Sequence, residues 1–188
     1  PLWGHAIAAE ERDQRAGGLA VDALGNVVLA GDLRGKATMG GQMTLESDGD
    51  ASDAFLASYD VDGELRWAAR YGSKAQDHAG AVSVDAAGDI LFAGQFRGAI
   101  TFGDEPVLQN EGAQSPHDDL FLARLSPSGK ERFSAAFGEN QDQIATALTI
   151  DPSGHVLLSG YFGGLVDFGG GELDAKNGDD LFVAKWGD

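Results

Sequence analysis

The chain has 188 residues, of which 43% are hydrophobic, and it carries 30 acidic against 13 basic side chains. That length and apolar content suffice for one packed domain and argue against intrinsic disorder. The formal net charge of −17 argues against a nucleic-acid partner, because phosphate contacts need clustered Lys and Arg. The absence of cysteine excludes disulfides and thiol catalysis. No apolar run approaches the ~20 residues of a membrane helix, so we expect no membrane insertion.

One stretch of the chain occurs three times. Residues 18–34 read GLAVDALGNVVLAGDLR, and related sequences return at 80–98 and 145–164. Such self-similarity, with a period of about 64 residues, predicts a repeat architecture. We therefore treat the chain as a single domain, 1–188, built from three units at approximately 10–72, 73–138 and 139–188, with an added strand at 2–9.

The elements of unit 1 follow from its residue pattern. Alternation at 19–22 and an apolar run at 27–33 predict two strands joined by a tight turn. The variable stretch around 37–40 predicts a small extra hairpin, followed by a polar loop. The third and fourth strands are predicted at 54–59 and 64–70. No helical periodicity is sustained, so we expect an all-β fold of four-stranded antiparallel units.

The first residues of the chain align with the last strand of a unit. Residues 2–9 match the segments that begin at Leu65 and Arg132, which form the predicted fourth strands of units 1 and 2. Unit 3 shows its third strand at 181–186 and no fourth. We therefore expect the N-terminal strand to complete the last unit by pairing with Leu181–Trp186, in the same molecule or in another.

Four antiparallel strands joined by tight turns are typical of a β-propeller blade. Closed propellers have 4–8 blades, so three units are too few to form a ring by themselves. Two arrangements would cover the open blade faces. We favour a homodimer that closes a six-bladed ring, because a two-fold assembly is the simplest closed one. The alternative is a longer array of which these units are a part.

The pattern VD-x-x-GN, then AG, then D-x-F-(L/V)-A, then G-x-L-x-W resembles the bacterial β-propeller repeat called SBBP. In unit 1 it is carried by Asp22–Asn26, Ala30-Gly31, Asp53–Ala57 and Gly63–Trp67. The resemblance covers essentially the whole chain. It implies blades of a large bacterial protein that is secreted or held at the cell surface, and it implies no established catalytic activity.

The loop before the third strand of unit 1 is a candidate calcium site. Asp48, Asp50 and Asp53 place carboxylates at alternating positions, and Ca²⁺ takes 6–8 oxygen ligands. No glutamate follows at the spacing of an EF-hand, and the matching loops keep fragments of the pattern. The alternative is a solvated acidic loop with a structural aspartate before the strand. No other cofactor is indicated.

Three further acids, Asp13, Asp77 and Asp142, recur just before the first strand of each unit. In a propeller this strand lines the central channel, so the three carboxylates would lie near one mouth of the channel and could bind a cation or another ligand. The alternative is that each carboxylate caps loop amides between units. Asp22, Asp85 and Asp151 at the first turn are interpreted as turn formers.

The sequence favours a binding or scaffold module over an enzyme. The four histidines occupy non-equivalent repeat positions, and neither an H-E-x-x-H nor a G-x-S-x-G pattern is present. The predicted partners are a second copy of the chain and a carbohydrate or protein ligand. One alternative is a lectin-like binder with a carbohydrate site in each unit. The other is a hydrolase or lyase that uses Asp77 or Asp142 at the channel mouth.

Overall fold

A computed structural model describes residues 2–10, 14–103, 107–110 and 116–187. These residues form sixteen strands and no helix, so none of them belongs to a helix that could cross a membrane. The strands, in chain order, are β1 (Ala8–Glu10), β2 (Arg15–Val21), β3 (Val27–Leu33), β4 (Lys36–Met39), β5 (Met43–Glu46), β6 (Asp53–Tyr59), β7 (Leu65–Tyr71), β8 (Asp77–Val84), β9 (Ile90–Phe96), β10 (Ala99–Ile100), β11 (Leu108–Gln109), β12 (Asp119–Leu125), β13 (Glu131–Phe137), β14 (Gln143–Ile150), β15 (Val156–Asp167) and β16 (Glu172–Trp186).

Each unit is one antiparallel sheet. Unit 1 has the strand order β2-β3-β6-β7, and unit 2 has the equivalent order β8-β9-β12-β13. Unit 3 has the order β14-β15-β16, so it repeats the first three strands. This architecture confirms the predicted all-β repeat and is consistent with a propeller-like fold.

The small extra hairpins occur where the sequence predicts them. In unit 1 the hairpin is β4-β5, and in unit 2 it is the short pair β10-β11. In unit 3 the same excursion is continuous with the long strands β15 and β16, which shift register between Phe162 and Gly164. The excess of these units over a minimal four-stranded blade is therefore accounted for by one hairpin each.

The first turn of every unit is built around an aspartate. Asp22 Oδ1 accepts hydrogen bonds from the backbone N–H groups of Leu24 and Asn26, at 2.9 and 2.8 Å. Gly25 takes φ +85°, which favours glycine. Asp85 and Asp151 bond their turns in the same way. The interpretation of these three acids as turn formers is confirmed.

The sheets stack face to face, and the core lies mainly between them. The cluster between units 1 and 2 is aromatic: Phe92 and Phe121 are fully buried with ring centroids 5.0 Å apart, and Tyr71 lies 5.0 Å from Phe102. A second cluster joins unit 2 to unit 3 around Leu120 and Leu158. Because each sheet is half of two interfaces, an end unit necessarily has one uncovered face.

The N-terminal strand does not complete unit 3 within the chain, contrary to expectation. Residues 2–7 are not part of any sheet, and β1 pairs with β4 of unit 1. Trp3 Nε1 donates to Val61 O at 3.1 Å, and the Trp3 ring lies 6.1 Å from that of Tyr59. The segment therefore packs on unit 1, the unit to which the chain directly connects it.

Candidate functional site

A calcium site at Asp48, Asp50 and Asp53 stays a prediction, and one of these acids is already bound within the fold. Asp53 is fully buried, and its Oδ2 accepts from Arg70 Nη1 at 2.6 Å and from the Asp48 N–H at 2.8 Å. A guanidinium thus already neutralises the carboxylate that would have to bind the cation. Among the described residues no three His, Asp or Glu side chains converge closely enough to hold a metal ion.

Asp77 lies where unit 2 meets unit 1, beside Ser52 and Asp53. It is fully buried, and its Oδ2 accepts from the backbone N–H of Ser73 at 2.8 Å. Its carboxyl group is next to that of Asp53: a Cβ on Gly72 would lie 2.6 Å from Asp77 Oδ2 and 2.7 Å from Asp53 Oδ1. Burial, and then the neighbouring Asp53 charge, raise the pKa of Asp77 to about 8.

Asp142 is not the structural equivalent of Asp77. The backbone N–H of Asp77 donates to Ser52 O, and in unit 3 the matching bond runs from the Gln143 N–H to Asp118 O. Gln143 is fully buried, as Asp77 is, whereas Asp142 is half-exposed. Asp142 Oδ1 accepts from the Asp118 N–H at 2.9 Å, so it caps a loop amide.

The third member of the predicted ring, Asp13, lies outside the described residues. Gln14 beside it donates from Nε2 to Arg34 O, and Gln143 Nε2 donates to Gly163 O in the same way. Gln14, Asp77 and Gln143 therefore share one repeat position. A ligand role for Asp13, Asp77 and Asp142 stays a prediction. The three acids do not share one repeat position, because Asp13 and Asp142 each come one residue before it.

Three of the four histidines lie against an aspartate, and His5 lies against the Gly63 carbonyl. His78 Nδ1 lies 3.0 Å from Asp32 Oδ2, and this hydrogen bond raises the pKa of His78 above its usual value. His155 Nδ1 lies 2.8 Å from Asp151 Oδ2 in the first turn of unit 3. His117 Nδ1 lies 3.3 Å from Asp142 Oδ1, so a histidine–aspartate contact occurs three times, each time at a different position of the repeat.

A cleft of about 460 Å³ opens between units 1 and 2. It is lined by Arg15, Arg34 and His78 together with Asp32 and Asp50. The residues that line the cleft are not repeated: the equivalent of His78 in unit 3 is Ile144, which pairs with Tyr161 as His78 pairs with Gln95. A carbohydrate site in every unit, as the lectin-like alternative requires, is not built by these residues.

The most distinctive surfaces are the uncovered faces of the two end units. On β2 of unit 1, Leu19 and Val21 are 64% and 58% exposed; these two residues define the first end face. On β16 of unit 3, Leu181 and Val183 are 86% and 77% exposed; these define the last end face. Exposed apolar patches of this kind mark interaction sites. The sequence reasoning expected open faces and did not identify these residues.

The equivalents of the end-face residues are buried inside the stack. Leu120 and Leu122 of β12 occupy the positions of Leu181 and Val183 and are 0% and 6% exposed. Val82 of β8 occupies the position of Leu19 and is 7% exposed. The repeat pattern therefore makes the end faces copies of an interface that the chain forms twice internally.

Two comparisons with known proteins bear on the family. No family model matches the chain. The chain is 22% identical, over 120 residues, to an uncharacterized WD repeat-containing protein of Acanthamoeba polyphaga mimivirus. The matched region covers 60% of this chain and 9% of the length of the viral protein. This similarity supports a repeat protein of propeller-like type, while membership of the bacterial SBBP family stays a prediction.

Proposed function

We propose that the chain is a non-enzymatic scaffold module that makes protein–protein contacts through its two end faces. The observation that carries this proposal is the exposure of Leu181 and Val183 at positions whose copies in unit 2 are buried. A sheet face with this composition is suited to packing against another sheet, not to holding a small polar substrate. The resemblance to SBBP repeats adds a bacterial, secreted or cell-surface location to the proposal.

Catalysis finds less support in the side chains. The acids of the hydrolase alternative are engaged in the fold, since Asp77 bonds the Ser73 amide and Asp142 bonds the Asp118 amide. A general base has to reach the proton it removes, and Asp77 is 0% exposed. Burial therefore argues against Asp77 as a general base, whereas Asp142 is half-exposed beside His117.

Covalent footprinting of the protein in the cell or medium that produces it tests the proposal. We expect Leu181 and Val183 to be protected from a photoactivated carbene, because a partner covers them. Leu24, which is 79% exposed in the first turn, is the matched control and should be labelled freely. Labelling of the end faces as strong as that of Leu24 would contradict the scaffold role.

A further inference from the structure

We propose that the partner of the end faces is a second copy of this chain, joined head to tail. This inference rests on the proposed function and names the occupant of the same surfaces. Two copies would bring the last end face of each onto the first end face of the other. Each would also lend its N-terminal segment, residues 2–7, as a fourth strand beside β16 of the other copy.

The first argument is that the chain already forms this interface with itself. Unit 1 presents Ala54 and Leu56 to unit 2, and unit 2 presents Leu120 and Leu122 to unit 3, all within the two cores. Unit 3 presents Leu181 and Val183 in the same way, with nothing described against them. The face that fits them is the one that receives their equivalents, and on a second copy that face is the uncovered side of unit 1.

The second argument is the placement of the N-terminal segment. Trp67 of β7 donates from Nε1 to Pro127 O at 3.0 Å, and a Cβ on Gly129 would touch its ring at 3.2 Å. Trp3 makes the equivalent contacts one unit earlier, with Val61 O at 3.1 Å and with Gly63. The segment thus lies on unit 1 where the fourth strand of a preceding unit would lie.

A second residue of this segment also makes the contact that its equivalent makes one unit later. Tyr71, four residues after Trp67, packs on Phe102 of unit 2, with ring centroids 5.0 Å apart. Ile7, four residues after Trp3, packs into the cluster of unit 1 that contains Met39, the equivalent of Phe102. Two side chains with the correct spacing therefore fix both the position and the direction of the segment.

Strand pairing completes the arrangement. In unit 1 the fourth strand pairs with the third in the register Ser58↔Trp67 and Ala57↔Ala68. The same register would set Trp3 opposite Lys185 and Gly4 opposite Ala184 of a second copy. Within the described part of the chain, β16 pairs with β15 alone, so its outer edge is open to this strand. Unpaired edges of this kind are templates for strand addition.

The number of copies follows from closure. Closed propellers have 4–8 blades, and the six units in two copies of residues 1–188 fall within that range. A head-to-tail contact closes into a ring when its rotation allows, and here a two-fold axis relates the two contacts.

The molecular mass in solution tests the proposal on the purified chain. Sedimentation equilibrium should give twice the 19.5 kDa mass of one chain. The double variant Leu181→Asp, Val183→Asp should halve that mass, because it places charge on the last end face. The control Leu24→Asp, on an equally exposed leucine away from both faces, should leave the mass unchanged. A single-chain mass for the native protein, or a mass that rises without limit with concentration, would overturn the proposal.

Cross-linking tests the register and does not depend on the charged variants. The chain has no cysteine, so Gly4→Cys combined with Ala184→Cys adds the two thiols without competitors. Gly4 has no atom within 4 Å of an added Cβ, so the substitution should not disturb the fold. Mild oxidation should give a covalent dimer on a non-reducing gel. The control pair Met43→Cys with Ala184→Cys should stay monomeric, and equal cross-linking of the two pairs would contradict the register.

The two proposals fail separately. If the purified chain is a monomer while its end faces are protected at the source, the scaffold role stands and the second copy is the wrong occupant. If the faces are labelled freely at the source, the scaffold role fails whatever the mass in dilute solution.

Discussion

Replacing Gly94 with alanine should lower the free energy of unfolding by about 3 kcal/mol, at the upper end of the range for overpacking a core. Gly94 lies in β9 between Ala79 of β8 and Phe121 of β12. An added Cβ would overlap the carbonyl oxygen of His78 and come within 2.7 Å of the Phe121 ring. Neither neighbour can move cheaply, because one is backbone and the other is fully buried in the aromatic core.

The same glycine recurs in the other two units, so alanine should destabilise the fold there for the same reason. Gly31 lies against the Arg15 carbonyl and the Phe55 ring, and Gly160 against the Ile144 carbonyl and the Phe182 ring. Urea unfolding followed by circular dichroism measures the lost free energy of unfolding. In a thermal melt the same loss should lower the melting temperature by roughly 10 °C. Gly170→Ala is the matched control, because nothing lies within 4 Å of its added Cβ. Equal stability of the two variants would contradict the packing described here.

The second large effect is a fall in stability as the pH rises. The pKa of Asp77 is about 8 in the folded chain, against 3.8 for an ordinary aspartate. Between these values the folded state keeps a proton that the unfolded state has lost, so the free energy of unfolding decreases as the pH increases. From pH 6 to pH 8 the decrease should be about 2 kcal/mol, and it should level off above pH 8.

Variants of Asp77 and of its neighbour His78 separate their contributions to the pH dependence. Burial and then the charge of Asp53 raise the pKa of Asp77, while the Ser73 and Arg97 amides and the charge of His78 lower it. Asp77→Asn, which stays neutral in the folded and the unfolded state, should already be more stable than the native protein at pH 6, and the difference should grow by about 2 kcal/mol from pH 6 to pH 8. His78 has a raised pKa through Asp32, so its pairing also weakens as the pH rises, and His78→Gln isolates that contribution. An unchanged pH dependence in Asp77→Asn would exclude a buried, protonated Asp77.

The repeat made most of the fold predictable. The spacing of the turn glycines located the first hairpin of each unit, because an aspartate-bonded turn with positive φ demands the same residues each time. The invariant glycine of the second strand has the same origin, since a phenylalanine ring occupies the space of its missing side chain. Local chemistry that repeats can be read from one sequence compared with itself.

The position of the N-terminal segment was harder to predict from the sequence. Its similarity to 64–70 identified it as a fourth strand, and this assignment agrees with the contacts of Trp3. A fourth strand has two neighbours, however: it pairs with its own third strand and packs on the next unit. Sequence similarity does not distinguish these neighbours, and the direct connection to β2 keeps the segment at unit 1.

The candidate sites were harder to predict, because they depend on partners distant in sequence. Arg70 is 17 residues from Asp53 and reaches it across adjacent strands, so the sequence pattern did not reveal that this carboxylate forms an ion pair. Asp77 and Asp142 looked equivalent because unit 3 has an acid one position before the structurally matching Gln143. A one-residue offset of this kind becomes visible only through hydrogen bonds between neighbouring sheets.

The equivalence between Trp3 and Trp67 underlies both the repeat description and the assembly derived from it. Nuclear Overhauser contacts from the indole protons to the turn glycines measure it most directly. We expect Trp3 to contact Gly63 as Trp67 contacts Gly129, with similar intensities for the two pairs. A Trp3 indole that shows no contact with Gly63, while Trp67 retains its contact with Gly129, would contradict the account.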